Sequence, residues 1–541
     1  MSEDRRPPLP FPQPYSGSIQ VSYGHGTAWP QLAGYAPLLE GEDAEACYKR
    51  ARTLQEAGRF GEALPAFEQA IALKPDYAEA HNGRGIALAN SQRSGEAVSS
   101  FDKAIALKPD YAEAYNNYGL VLQDLNRFNE ALAQFDKAIA LKPDDARIHK
   151  NRGAVLQDLK RLEESVRSYD LAIALKPDYT DAFNNRGAVL NELTRLDEAI
   201  DSFGKALTLN PDYAEAYNNR GVALQDLGRL EEALADFDKA LALRPEFSEA
   251  SSNLAYCLLK MGRFERGWHL HEWRKRVPKP VGNRTLPRPL WLGRENISNA
   301  TVFVHFEQGL GDTIQFSRYG KLLKERGATV VMSVQEPLYP LLKQMSPDIQ
   351  VIKGSEVSSQ FDYHCPMMSL PLAFGTTLQT IPCEQRYIVA DSALRKAWDE
   401  RLPPPTRKRI GLVWRGNPIH RNDHNRSIAL SSLAPLFGVD AHWVSLQKEL
   451  VPGDAAALAA FPRIVGIGTE LRDFSDTAAV VDGLDLVIAV DTSIAHLAGA
   501  MGKPVWILLP FNADWRWLSN RDDSPWYPSA KLYRQADIGP W

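Results

Sequence analysis

The chain has 541 residues, which at roughly 150 residues per domain corresponds to about three to four domain-sized units. With 44% hydrophobic and 24% charged residues, the composition is that of a globular protein and excludes a mostly disordered, collagen-like or disulfide-scaffold chain. The net charge of −5 excludes a dedicated nucleic-acid-binding protein, because such a protein needs a clustered basic surface.

The cysteines and apolar runs indicate the compartment. Cys47, Cys257, Cys365 and Cys383 form no CxxC pair, and no apolar run reaches the roughly 18 to 20 residues needed to span a bilayer. No apolar segment follows a basic start at the N-terminus, as secretion would require. We therefore predict a reduced, cytoplasmic protein with no membrane span.

The first 42 residues are rich in proline and glycine and predict a tail without helix or sheet. From Asp43 a repeat begins, in which a proline recurs at one constant interval: Pro75, Pro109, Pro143, Pro177, Pro211 and Pro245. Each proline ends one helix, and an acidic residue that follows it opens the next, as in the segment 107–114. The period therefore predicts helical hairpins.

Three further residue types recur with the same period. Glycines such as Gly85 predict close approach of the two helices of a hairpin, and alanines such as Ala97 are expected to meet them. Aromatic residues such as Phe101 are expected to supply the contact between repeats. The pattern resembles the tetratricopeptide repeat, with six full copies over 44–247 and a seventh from Ser248 that decays near Trp273. It predicts an all-α solenoid over 43–277.

One position of each repeat is asparagine: Asn117, Asn151, Asn185, Asn219 and Asn253. Amides that donate and accept can hold an extended peptide, so this surface ladder predicts a peptide-binding groove. It resembles the ladder of the protein O-GlcNAc transferases, which also join tetratricopeptide repeats to a GT-B catalytic half. The alternative is that asparagine is merely tolerated on an exposed face. A second, acidic column favours a polar or basic peptide and contains Asp124, Asp158, Glu192 and Asp226.

A proline and glycine cluster predicts a linker over 278–299, after which strands and helices alternate. Strands are predicted at 301–306 and 329–333 in a first half, 300–402. Four more are predicted in a second half, 403–541: they lie at 410–414, 443–447, 484–490 and 505–509. We predict two Rossmann-like α/β halves that face each other across a cleft, with ligand loops at the carboxyl ends of the strands.

The first motif joins a strand to a helix. In it Gly309 and Gly311 leave backbone amides open to a ligand, and Asp312 projects from the helix start. Gln315 lies one turn further along the same helix. The alternative is that Asp312 only caps its helix in a common structural turn.

The second motif follows the strand at 484–490 and spans 491–504. The amides and hydroxyls of Thr492 and Ser493, together with the positive end of a helix, predict a diphosphate site that requires no metal. His496 lies one turn later and can reach the same group; the alternative is a satisfied histidine that bonds a backbone carbonyl.

The third motif is a polar loop after the strand at 410–414. It contains Arg415, Asn417 and Arg426, and its arginines are candidate anion clamps. The alternative is an exposed charged loop.

Together the three motifs resemble the heptosyltransferase-like family of glycosyltransferases, family nine, over about 290–541. The resemblance implies a GT-B fold, inversion at the anomeric carbon, no metal, and no cofactor beyond a nucleotide sugar as co-substrate. Residue by residue, it implies Asp312 as general base and Arg426 as phosphate clamp, where the family often has lysine. The implied diphosphate cradle contains Asp491, Thr492, Ser493 and His496, and the implied donor or acceptor contacts are Gly309, Gly311, Gln315, Arg415 and Asn417. The family commonly has glycine where Ser493 stands.

We therefore predict an α solenoid followed by an α/β pair of GT-B type. The predicted function is sugar transfer from a nucleotide-diphosphate donor to an acceptor, a protein or peptide, that the repeats recruit. Two alternatives stay open. One is a non-enzymatic interaction scaffold with an inactive α/β half, and the other is a saccharide or lipopolysaccharide glycosyltransferase whose repeats only dock partners.

Overall fold

The computed structural model describes residues 43–276, 286–354, 360–419, 423–539 and 541. The predicted tail and the first part of the predicted linker lie outside these residues. The chain folds as two compact units, one that ends at Leu224 and one that begins at Gln225.

Fourteen helices form seven hairpins in the described part of the repeat region. The first helix of each hairpin has 13 residues, and these helices start at the same constant interval as the prolines: α1 (Ala44–Glu56), α3 (Ala78–Asn90), α5 (Ala112–Asp124), α7 (Ala146–Asp158), α9 (Thr180–Glu192), α11 (Ala214–Asp226) and α13 (Ser248–Lys260). The second helices are α2 (Phe60–Leu73), α4 (Ser94–Leu107), α6 (Phe128–Leu141), α8 (Leu162–Leu175), α10 (Leu196–Leu209), α12 (Leu230–Leu243) and α14 (Phe264–His271). The seventh hairpin ends in a short second helix and a 3-10 turn, Glu272–Lys275, as its decaying sequence predicts.

The turn inside each hairpin contains one residue with a positive φ, two residues after the first helix ends. These residues are Gly58, Gln92, Asn126, Lys160, Thr194, Gly228 and Gly262. A left-handed residue commonly ends a helix, because it lets the chain turn away while backbone hydrogen bonds close the last turn. Four of the seven hairpins make this turn without glycine.

The glycines of the repeat receive aromatic rings and not alanines, which corrects one expectation. A Cβ atom on Gly85 would lie 2.7 Å from Cζ of Phe101, in the second helix of the same hairpin. Phe101 is fully buried, and its ring stacks on Tyr118 of the next hairpin with centroids 6.0 Å apart. The aromatic residue therefore fills its own hairpin and also makes the predicted contact between repeats.

The second unit contains two all-parallel sheets. The first has the order β3-β2-β1-β4, with β1 (Thr301–His305), β2 (Thr329–Val334), β3 (Ile349–Lys353) and β4 (Tyr363–Pro366). The second has the order β10-β9-β8-β5-β6-β7, with β5 (Arg409–Val413), β6 (His442–Ser445), β7 (Ile464–Gly466), β8 (Leu486–Val490), β9 (Val505–Leu509) and β10 (Ala530–Arg534). All six predicted strands are present, and β3, β4, β7 and β10 were not predicted.

Nine α-helices accompany these sheets in the described residues: α15 (Leu310–Phe316), α16 (Tyr319–Glu325), α17 (Tyr339–Leu342), α18 (Leu370–Ala373), α19 (Ser392–Asp399), α20 (Asp423–Arg426), α21 (Pro452–Ala460), α22 (Phe474–Asp482) and α23 (Ser493–Ala500). No helix in the described part of the chain is both long and apolar enough to cross a membrane.

One hydrophobic core joins the last hairpin to both sheets. Phe264 and Trp268 of α14 belong to the same buried cluster as side chains of β1 and β8, and the indole of Trp268 donates to the carbonyl of Thr376 at 2.9 Å. Trp291 is fully buried in this cluster too, although it lies in the segment predicted as a linker. The last hairpin is therefore packed as part of the α/β unit.

Candidate functional site

The turn between β1 and α15 holds the Asp312 carboxylate on two sides. Its Oδ2 atom accepts a hydrogen bond from the backbone N–H of Gly309 at 2.9 Å, which caps the start of α15. Its Oδ1 atom accepts another from Nη2 of Arg516 at 2.5 Å. Asp312 is therefore both a helix cap and one half of an ion pair. The pair is largely buried, because the Asp312 side chain is only 15% exposed.

Arg516 is the site residue that the sequence motifs did not indicate. It lies in the 3-10 turn Trp515–Trp517 after β9, and its Nη1 donates to Asp514 at 2.7 Å. Burial opposes its charge, but the carboxylates of Asp312 and Asp514 outweigh this and raise the pKa of Arg516. The sequence feature that could have indicated Arg516 is its position in a polar segment that follows the carboxyl end of a predicted strand.

The motif after β8 begins α23 at Ser493. Thr492 precedes the helix in extended conformation and does not cap it; its Oγ1 is buried and has no hydrogen-bond partner among the described residues. Burial and then the Asp514 carboxylate raise the pKa of Asp491, while Arg426 and Arg516 act in the opposite direction. A helix start next to two arginines favours an anionic ligand.

His496 is buried in the interior and faces α15. Its Nδ1 lies 2.9 Å from the hydroxyl of Tyr527, and its ring stacks on Trp517 at 5.0 Å between centroids. Gly311 touches the other edge of the ring, because a Cβ atom there would lie 2.7 Å from Cδ2. Burial, and then Arg516 and Arg318, lower the pKa of His496 well below its usual value. The ring is therefore neutral. It is bonded within the protein, but to a side-chain hydroxyl and not to the backbone carbonyl of the predicted alternative.

Arg426 connects the polar loop to the second motif. Its Nη1 donates to the backbone carbonyl of Asp491 at 3.1 Å, and its Nε donates to Asp423 at 3.3 Å. Arg415 instead pairs with Asp454 at 3.3 Å. Asn417 is exposed and accepts from a backbone N–H two residues later. Of the three loop residues predicted to contact ligand, only Arg426 contacts the second motif.

Gln315 is fully buried, and neither atom of its side-chain amide has a hydrogen-bond partner among the described residues. The Gln315 side chain therefore lies in the protein interior.

The structure therefore brings the three sequence motifs into contact. Gly311 lies against His496, Arg426 binds the Asp491 carbonyl, and Asp312 is paired with the unpredicted Arg516. The result is a cluster of carboxylates and guanidinium groups beside a helix start, at the carboxyl ends of strands in both sheets. Such a cluster can bind an anion and can hold a carboxylate near it.

Three asparagines of the predicted ladder bond across repeats to asparagines that lie outside the ladder. An amide nitrogen in one repeat donates to an asparagine oxygen 35 residues earlier, in the pairs Asn117–Asn82 at 3.2 Å, Asn151–Asn116 at 2.9 Å and Asn219–Asn184 at 3.1 Å. Asn151 and Asn185 are only 6% exposed, so the expectation that they are surface positions is wrong. Asn253 is half-buried. The ladder thus ties neighbouring repeats together, which reduces the number of amide groups left for a peptide.

The acidic column is partly exposed. Burial raises the pKa of Asp124 and of Asp158, and Asp158 accepts from Gln123 at 2.7 Å. Glu192 pairs with Lys160 at 2.5 Å. The column therefore holds carboxylates at a surface where their charge is not fully solvated.

A cavity of about 480 Å³ lies elsewhere in the second unit, between the last hairpin and residues 377–379. Its lining contains none of the residues predicted for the donor site. In the described ranges, no group of three or more His, Cys, Asp or Glu side chains is placed to hold a metal ion.

Family models described as tetratricopeptide repeats match the helical region. The matched residues are 48–112, 100–133, 119–160, 146–179, 190–228 and 214–247. Protein FlbA of Caulobacter vibrioides is 25% identical over 307 residues, which are 51% of this chain and 50% of FlbA. The chain thus spans about half the length of this curated relative.

Solved structures similar to part of the chain include YrrB, described as a tetratricopeptide-repeat protein with an unusual peptide-binding site. It is 27% identical, covers 34% of this chain and 95% of its own, and has a TM-score of 0.30. PilW, described as a type IV pilus biogenesis factor, is 23% identical, with 39% and 98% coverage and a TM-score of 0.37. The family models show that the chain carries tetratricopeptide repeats, and in the structure an α/β region with two parallel sheets follows them.

Proposed function

We propose that the α/β region is a metal-independent, inverting glycosyltransferase, and that the repeats recruit a protein or peptide as its acceptor. The donor is a nucleotide-diphosphate sugar. The observation that carries the proposal is the meeting of the three motifs, with Asp312, Arg516 and the start of α23 at the carboxyl ends of parallel strands.

The charges of the cluster suit a reaction in which the acceptor displaces the diphosphate from the anomeric carbon of the sugar. As the acceptor oxygen bonds to the anomeric carbon, the bond from that carbon to the diphosphate oxygen breaks, and its electron pair leaves with the diphosphate. Arg516, Arg426 and the positive end of α23 would stabilise that developing charge. The acceptor hydroxyl gives its proton to Asp312, whose two oxygens keep lone pairs beyond those used by Gly309 and Arg516.

The repeats support a polypeptide partner. Stacked repeats form an extended surface, and the acidic column containing Asp124, Asp158 and Glu192 favours a polar or basic segment. Because ladder asparagines bond to other asparagines within the repeats, we assign the selection of the segment chiefly to the acidic side chains. The ladder would then act mainly by holding the groove in shape.

One observation favours the non-enzymatic scaffold as the second candidate. Both oxygens of Asp312 are already bonded within the protein, which is also what a purely structural carboxylate requires. In that case the α/β region would bind no sugar nucleotide, and the repeats alone would carry the function.

Thermal unfolding in a panel of uridine, guanosine and adenosine diphosphate sugars separates the two candidates. Saturation with a true donor, at about 100 times its Kd, should stabilise the native state by about 2.7 kcal/mol and raise Tm. Arg426→Ala and Arg516→Ala should each weaken binding by about 1 to 3 kcal/mol, the range for charged hydrogen bonds. Arg463→Ala, at an exposed position of the same half, is the matched control.

His496→Ala tests the other predicted diphosphate contact. Because the ring is neutral and buried, its loss should weaken binding only through the packing of Gly311 and Trp517. Transfer itself is read by mass spectrometry of proteins incubated with the donor and the full chain. If no sugar nucleotide raises Tm and no protein gains a sugar, the transferase proposal is wrong and the scaffold remains.

A further inference from the structure

The segment 511–520, which follows β9 and carries Arg516, is held in an unfavourable backbone conformation. Leu518 has φ +57°, in the left-handed region that side chains other than glycine rarely adopt, yet it is buried. Nη2 of Arg534 donates to the carbonyls of Trp517 and Leu518, at 2.8 and 3.1 Å. We call residues 511–520 the Arg516 segment. Its shape is imposed by its surroundings.

The last two hairpins form hydrogen bonds with this segment at Asn512. Its Nδ2 donates to Oδ1 of Asp226 at 2.6 Å, and its Oδ1 accepts from Nζ of Lys260. Asp226 is the last residue of α11 and Lys260 the last residue of α13, so both hold the same position in successive repeats. The hydroxyl of Ser519 adds a bond to the Lys260 carbonyl at 3.3 Å.

The two charges determine how the Asn512 amide is oriented. A carboxylate can only accept and an ammonium can only donate, so the amide nitrogen must face Asp226 and its oxygen must face Lys260. Burial raises the pKa of Asp226 to about 6 and lowers that of Lys260 to about 8, so both groups are charged at neutral pH. In the reversed orientation, the amide oxygen would face the Asp226 carboxylate and the amide NH₂ group would face the Lys260 ammonium, so acceptor would meet acceptor and donor would meet donor.

The repeat sequence departs from its pattern at the position where this contact forms. The acidic column of the repeats runs through Asp124, Asp158, Glu192 and Asp226, and the next residue of the same register is Lys260. Lys260 is 4% exposed, although lysine is almost never fully buried unless it is paired. Burying two charges around one amide is a poor way to gain stability, since an apolar contact of similar volume often serves as well or better. The arrangement is therefore weak evidence for a stabilising role.

We infer that Asp226 and Lys260 are positioning residues, which through Asn512 set the Arg516 segment so that Arg516 meets Asp312. The path is short, because Asn512 lies two residues before Asp514, whose carboxylate binds Arg516. The inference rests on the proposed function only in assigning Arg516 to the transfer reaction. Under this inference, the last repeats help to position a residue of the site and do not only connect the solenoid to the α/β region.

The first test uses the full chain and no substrate. Hydrogen–deuterium exchange of peptides from 511–520 should be at least about 10-fold faster in Asn512→Ala and Lys260→Met than in the parent, because opening of the segment exposes its amides. Lys239→Met, the same change at an exposed position of α12, is the matched control and should leave this exchange unchanged. Parental exchange in both test variants would overturn the inference.

The second test measures turnover with whichever donor raises Tm. Asn512→Ala should lower kcat at least about 10-fold with little change in the KM for the donor. In an Arg516→Lys background the same change should lower kcat less than about 3-fold, since the group it positions is already altered. Equal losses in the two backgrounds would mean that Asn512 does not act through Arg516, and would overturn the inference.

The two tests also separate this inference from the proposed function. If the parent transfers no sugar but the exchange of the Arg516 segment depends on Asn512 and Lys260, the positioning holds and the transferase proposal fails. If the parent is active and Asn512→Ala keeps parental kcat, the transferase proposal holds and the positioning fails.

Discussion

Replacing Asp312 with asparagine is the most informative single change in this protein. Both oxygens of Asp312 accept hydrogen bonds, one from the Gly309 N–H and the other from Arg516. Asparagine offers one oxygen and one NH₂ group, so one of these donors must face another donor. Asparagine can therefore keep either the helix cap or the acceptor for Arg516, but not both.

The expected cost to stability follows from these contacts. A largely buried hydrogen-bonding group left without a partner costs about 1 to 3 kcal/mol. Loss of a buried charge pair can cost about 3 to 5 kcal/mol, but Arg516 keeps Asp514, so the lower range applies. Urea unfolding followed by tryptophan fluorescence measures this change. If Asp312 is the general base, turnover should fall by about 100- to 10,000-fold in addition.

Asp514→Asn is the matched control, because Asp514 binds the same guanidinium at 2.7 Å and has no assigned role as base. It should cost similar stability and lower turnover by about 10-fold, through displacement of Arg516 alone, which is less than the loss expected for Asp312→Asn. Equal rate losses in the two variants would refute the assignment of Asp312 as base, since both would then act by displacing Arg516.

Two further predictions concern the repeats. Asn151→Ala should lower the free energy of unfolding by about 1 to 3 kcal/mol, because it leaves the Asn116 oxygen without its 2.9 Å donor; parental stability in urea would contradict a role in joining repeats. Thr194→Gly should raise the free energy of unfolding by about 0.5 to 1 kcal/mol, because Thr194 has φ +62° and a β-branched residue is strained there. Asn126→Gly, at φ +58° in an earlier repeat, should change stability less, since asparagine tolerates this region, and an equal gain at both positions would contradict the argument from strain.

The sequence determined the repeat region almost completely. The constant spacing of the six prolines, one after each of the first six second helices, identifies six hairpins, because these hairpins use the same local signals; the decaying seventh repeat predicts the last one. It did not reveal that the aromatic ring fills the space beside the glycine, since periodicity gives the register of a residue but not its partner. Nor did it show that ladder asparagines bond across repeats to a second set of asparagines.

In the α/β region, the sequence identified the central strands and missed the edge strands. The four unpredicted strands, β3, β4, β7 and β10, are the two edges of each sheet. Central parallel strands are buried on both faces and read as continuous apolar runs. Edge strands are shorter or mix in charged residues, as in Ala530–Arg534, so the same criterion does not detect them.

The sequence also indicated which loops meet, because the carboxyl ends of parallel strands lie at one edge of a sheet. Only the tertiary structure decided which side chains form the cluster. Arg516 pairs with Asp312 across 204 residues, and Asn512 reaches Asp226 across 286. Such pairs leave no periodic trace in the sequence, since each depends on how separate elements pack against each other. For the same reason, the sequence could place His496 next to the diphosphate loop but could not show that burial keeps its ring neutral.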